Sequence, residues 1–86
     1  MSANFFWGEG MNASAKKKIG QNIRKIREAR GYTQDYVATQ LQLNGCDITR
    51  SAVAKIEVGQ RHLYSDELIL LKQILKADYE EILSLD

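Results

Sequence analysis

The stretch Ile48-Thr-Arg-Ser-Ala-Val-Ala-Lys-Ile-Glu-Val-Gly-Gln-Arg61 constrains this chain more than any other. Thr49 suits a helix N-cap, because its hydroxyl accepts from a backbone N–H left open in the first turn. Gly59 suits the left-handed position that closes a helix. Between them, at 3.6 residues per turn, Ala52, Val53 and Ile56 share one face and form a narrow apolar stripe. Arg50, Ser51, Ala54, Lys55 and Val58 fall on the other side. That outer face is short, holds two cations and no acid, and keeps small residues between the charges. Such a face is able to lie deep in a groove without clashing.

A second capped helix precedes it. Thr33 is its N-cap, and Val37, Ala38 and Leu41 are its apolar face. Taken together, Thr33-Gln34, Ala38, Leu41, Ile48-Thr49-Arg50-Ser51, Val53, Ile56-Glu57 and Gly59 resemble the Cro and lambda-repressor-like (XRE-type) helix-turn-helix family. The resemblance runs from about Ile19 to Leu83. It implies an all-α fold, a compact five-helix DNA-binding domain in which helices 2 and 3 form the helix-turn-helix. One departure stands out. The family turns between these helices in a few residues, whereas here Gln42-Leu-Asn-Gly-Cys-Asp47 intervene. The second helix is expected to run on to about Leu43 and stop at Asn44-Gly45, giving a lengthened turn.

The rest of the chain reads as follows. Residues 1–14 form a flexible N-terminal arm with the aromatics Phe5, Phe6 and Trp7, and residues 15–86 form the domain. Ile19, Ile23 and Ile26 mark a first helix from about Ala15 to Arg30, ended by Gly31. Ser65 is expected to cap a fourth helix with Leu68, Leu71, Ile74 and Leu75 inward, and Tyr64 and Ile69 are spaced for a hydrophobic staple. Asp78 followed by Glu81 marks a fifth, carrying Tyr79, Ile82 and Leu83. The chain has no proline, which removes the strongest helix breaker.

The formal net charge is only +1, but it is polarised. Residues 15–34 hold seven basic residues against Glu28 alone, and residues 64–86 hold six acids against Lys72 and Lys76. Such a domain offers one end to a polyanion and turns the other away. Cys46 is the single cysteine, which rules out an internal disulfide and fits a reducing compartment. No apolar run approaches a membrane span and no secretion signal opens the chain, so a cytoplasmic protein is expected.

Catalysis has little to stand on. No nucleophile–base pair, phosphate-cradling glycine loop or metal quartet stands at usable spacing, and His62 has no ligand cluster around it. No enzyme activity, cofactor, metal site or small-molecule ligand is expected. The resemblance implies a sequence-specific regulator of double-stranded DNA, a repressor of phage or mobile-element type, working as a homodimer on an inverted-repeat operator. With the third helix in the major groove, Arg50 and Lys55 can donate to guanine, Ala54 can touch a thymine methyl, and Ser51 can bond to several bases. Phosphate contacts are expected from Gln34, Thr49 and Arg61 and from the run Lys16, Lys17 and Lys18. Arg27 and Glu57 match family positions that form a structural ion pair. Tyr79, Ile82, Leu83 and Leu85 exceed what a short terminal helix needs for its own core, and are expected to form the dimer interface, with the N-terminal aromatics as the alternative. The competing class is a protein-interaction module of the same fold, antitoxin-like or regulator-binding, with little affinity for DNA.

Overall fold

The computed structural model describes residues 13–86. Five helices follow in order: α1 (Ala13–Ala29), α2 (Gln34–Leu43), α3 (Arg50–Glu57), α4 (Ser65–Leu75) and α5 (Tyr79–Leu83). There is no strand among the described residues. The aromatic cluster Phe5-Phe6-Trp7, and the contacts expected of it, lie outside this range. Helix α1 begins at Ala13, two residues before the boundary read from the sequence, because Ala13, Ser14 and Ala15 offer nothing that stops a helix.

Local chemistry sets the helix ends. Thr33 Oγ1 accepts from Tyr36 N at 2.9 Å, and Thr49 Oγ1 accepts from Ala52 N at 3.1 Å. Both threonines hold extended backbone, as N-caps do. Gly45 and Gly59 follow α2 and α3 with φ of 85° and 77°, values that a side chain disfavours. Around each, the same crossed pair of bonds satisfies the last carbonyls. Cys46 N donates to Leu41 O and Gly45 N to Gln42 O; Gln60 N donates to Lys55 O and Gly59 N to Ile56 O. Helix α4 closes in the same way without glycine, so Lys76 carries the left-handed conformation at φ 53°. Its strain is offset in part by Arg30, whose guanidinium donates to Leu75 O and Lys76 O at 2.9 and 2.8 Å.

The lengthened turn is held at several points. Ile48 plugs into the core at 2% exposure, and Gln42 Nε2 donates to Ile48 O at 2.7 Å. Six residues after α2 therefore act as a fixed spacer.

The core draws Ile19 and Ile23 from α1, Val37, Ala38 and Leu41 from α2, and Val53 and Ile56 from α3. Leu63, Leu68, Leu71, Leu75, Ala77 and Ile82 complete it from the C-terminal half. Two polar features join helices across this core. Asn22 is buried and spends both amide protons on α5 and the residue that caps it, donating to Ile82 O at 2.9 Å and Ser84 O at 2.7 Å. Gly20 lets α1 lie directly on the end of α3. A Cβ there would come within 2.6 Å of Glu57 O and closer still to Ile56 O.

Three readings from the sequence need correction. Ile82 is completely buried, so it belongs to the core of its own domain and not to a dimer surface. Tyr64, not Ser65, holds the N-cap position of α4; Glu67 reaches back to accept from Tyr64 N at 3.1 Å. Tyr64 and Ile69 are both about half exposed, at 54% and 48%, so no staple covers them.

Candidate nucleic-acid interface

The buried side of α3 is bolted in place by one ionic junction. Arg27 Nε donates to Glu57 Oε2 at 2.6 Å, and a second guanidinium nitrogen donates to Glu57 Oε1 at 3.1 Å. The third arm of the guanidinium donates to Tyr32 O at 2.8 Å. The hydrogen bond to Glu57 pushes the Arg27 pKa up, outweighing the burial that pushes it down. Gln34 joins the same carboxylate, donating from Nε2 to Glu57 Oε1 at 2.9 Å. The C-terminal end of α3 is thereby tied to α1 and to the first turn of α2. A fork-to-fork geometry in which the carboxylate accepts three hydrogen bonds is what makes a buried pair tolerable.

With that side fixed, the outward side of α3 follows. Arg50, Ser51 and Lys55 are exposed and Ala54 is half buried, while Val53 and Ile56 face the core. Arg50 and Lys55 are separated by about 140° around the helix, so both stay on its outer half. Thr33 and Thr49 use their hydroxyl oxygens as caps, and each hydroxyl proton remains free to donate.

An open groove of about 670 Å³ lies where α1 meets the starts of α2 and α3. Arg24 and Arg27 line it from α1, Thr33, Gln34 and Asp35 from α2, and Arg50 from α3. Nothing in the sequence alone singles out Arg24. Among the described residues its one ionic neighbour is Glu28, 3.4 Å away in an exposed pair. Tyr36 does not turn inward; its ring lies 4.6 Å from that of Tyr32, and 42% of the residue is exposed.

The lysine run sits nearer to α3 than its place in the chain indicates. A Cβ on Gly59 would meet Lys17 Cα at 2.9 Å, so the start of α1 passes beside the end of α3. Lys17 is exposed, and Lys16 and Lys18 are half buried. Arg61 differs from expectation in another way. Its two terminal nitrogens are taken up by Glu67 at 2.8 and 3.0 Å, and one also donates to His62 O at 2.9 Å. The Glu67 bond raises its pKa, and the guanidinium carbon lies 5.7 Å from the Tyr64 ring centre. Arg61 is a brace across the α3–α4 link with little left to offer outward. Cys46 is half buried in the turn, and burial pushes its thiol pKa up.

Near the C-terminus, Tyr79 and Leu85 are exposed at 39% and 58%, and Leu83 is half buried. Tyr79, Glu80, Leu83 and Ser84 surround a shallow groove of about 390 Å³, and Lys72 Nζ stands 5.3 Å from the Tyr79 ring centre. Among the described residues no group of histidine, cysteine and acidic side chains is arranged to hold a metal ion, and no helix is long and apolar enough to cross a membrane.

This arrangement has known counterparts. The restriction-modification controller protein C.AhdI from Aeromonas hydrophila is 29% identical, with a TM-score of 0.67 over 77% of this chain and 92% of that one. The DNA-binding domain of BldD shares the fold, with a TM-score of 0.71 at 22% identity over 86% of this chain and all of that one. No curated protein matches the chain in sequence. A helix-turn-helix family model matches residues 23–82, which span α2, the lengthened turn and α3 and continue into α5. The chain belongs to the helix-turn-helix family of DNA-binding regulators.

Proposed function

We propose that this protein is a sequence-specific, double-stranded-DNA-binding transcriptional repressor of the phage or mobile-element kind. In this reading α3 enters the major groove while α2 crosses the backbone. The observation that carries it is the division of α3. One side is locked by Glu57 to Arg27 and Gln34, and the other exposes Arg50, Ser51 and Lys55 around the small Ala54. A rigid, narrow, cationic face with no acid is suited to a groove walled by phosphates. Ser51, Ala54 and Lys55 would meet base edges, with Arg50 at the leading end of the helix. Gln34 and Thr49 would meet phosphates at the helix starts, and Lys17, with its neighbours Lys16 and Lys18, would do so at the far end. Likeness to a restriction-modification controller protein supports a regulatory role.

The operator would be an inverted repeat. Half-sites one turn apart lie roughly 34 Å from centre to centre, more than the 31 Å longest extent of this domain. Two copies would then share the operator, joined through Tyr79, Leu83 and Leu85 at the acidic end.

Salt tests this reading. Each phosphate neutralised by a cationic side chain releases counterions, so affinity for duplex DNA should fall steeply between 50 and 200 mM salt. Duplex binding that is absent, or insensitive to salt, would favour the interaction-module reading instead.

A further inference from the structure

Among the described residues, the groove between α1 and the starts of α2 and α3 holds one free guanidinium group, on Arg50, and one loosely paired, on Arg24, and their positions bear on what Arg50 does. Arg27, the third arginine there, is fully occupied by Glu57 and Tyr32 O. Arg24 has only Glu28, at 3.4 Å, with 58% and 54% of the two side chains exposed. An exposed pair of that kind constrains little. Arg50 is exposed and makes no hydrogen bond or ion pair through its side chain among the described residues. The two arginines come from different helices, and the contact of Gly20 with Ile56 and Glu57 fixes one helix against the other. The spacing of their backbones is thus set by the frame before any ligand arrives. Planar guanidinium forks match the tetrahedral oxygens of a phosphate, and two forks lining one groove on a rigid frame are suited to clamp it.

We propose that Arg24 and Arg50 grip one DNA phosphate between them in this groove. Arg50 is then a backbone anchor, and base reading falls to Ser51, Ala54 and Lys55. The assignment rests on the DNA-binding reading above and changes the role that the sequence indicated for Arg50. Asp35 also lines the groove. Its carboxylate opposes the phosphate while favouring the N-terminal turn of α2 through the helix dipole. Asp35 therefore acts in opposite directions on binding and on folding, which separates a clamp from a merely structural cluster.

The test uses the full chain and two duplexes, one selected by the wild-type protein from a random pool and one unrelated. Arg24→Ala and Arg50→Ala should each weaken both duplexes several-fold and flatten the salt slope by about one unit. Selection with Arg50→Ala should return the wild-type sequence. Asp35→Asn should tighten both duplexes several-fold while lowering the melting temperature. Lys25→Ala, an exposed change on α1 outside the groove lining, serves as the charge control and should leave the slope unchanged. Loss of preference at one base position with Arg50→Ala would make it a base reader and overturn the clamp. An unchanged slope with Arg24→Ala, or no gain with Asp35→Asn, would do the same. If the wild-type protein selects no duplex at all, the DNA-binding reading fails first and the clamp falls with it.

Discussion

Arg27 and Glu57, thirty residues apart, meet through two hydrogen bonds of 2.6 and 3.1 Å in a site where Glu57 is 2% exposed. Removing one partner strands a buried charge. Arg27→Ala should cost on the order of 3 kcal/mol, and for a domain of this size about 4–8 °C of melting temperature goes with each kcal/mol. A drop of at least about 10 °C in a thermal melt is expected, whereas replacing both residues with apolar ones of similar volume should recover much of it. A shift of only a degree or two for Arg27→Ala would mean that the junction orients α3 without stabilising the fold.

Backbone fit provides a paired prediction of opposite sign. Gly20→Ala forces a methyl against Ile56 O and Glu57 O, atoms that cannot swing aside as a side chain can. A loss of about 1–3 kcal/mol or more is expected. Lys76→Gly relieves a left-handed residue whose strain is about 1–2 kcal/mol, less the greater freedom of glycine in the unfolded chain. A net gain of about 0.5–1 kcal/mol in denaturant unfolding is expected.

Cys46 gives a prediction in pH. Burial is the largest cause of its raised pKa, with the carboxylates of Glu67 and Asp66 adding to it. The neutral thiol is thus favoured in the folded state. This contribution to stability is intact below the ordinary thiol pKa and is lost as pH rises through the higher folded value. At pH 8, alkylation of the folded protein should be slower than that of an unstructured cysteine peptide, since the thiolate is the reactive form. Equal rates would contradict the placement of this thiol.

Assembly is tested at the acidic end. Leu85 is 58% exposed, so Leu85→Asp should leave the melting temperature nearly unchanged. It should also lower the dimer fraction in sedimentation and weaken operator binding. Ile82→Asp is the wrong probe, because Ile82 is fully buried and its loss would unfold the monomer. A wild-type chain that stays monomeric at high concentration, free and on DNA, would refute the dimer.

Much of this fold was legible because it is local. Thr33, Thr49, Gly45 and Gly59 announce helix ends through chemistry confined to a few residues, and the stripe of Val53 and Ile56 repeats at helical spacing. What escaped depends on which segments meet. Gly20 reads as a flaw in a helix until α3 lies against it, and Asn22 reads as a surface polar residue until α5 ends over it. Arg24 gained meaning only from the groove it shares with Arg50, 26 residues further on. Ile82 was misassigned because a five-residue helix has too few positions to reveal which face is buried. Arg61 reads as a phosphate contact because nothing in the spacing alone shows Glu67 reaching back to it.

The most direct test of α3 as a reader of DNA is selection of bound duplexes from a random pool by the full chain. Enrichment of one inverted repeat is expected, with half-site centres about 10 base pairs apart or a multiple of that. A pool that remains random after successive rounds, while the protein stays folded, would contradict sequence-specific recognition by this helix.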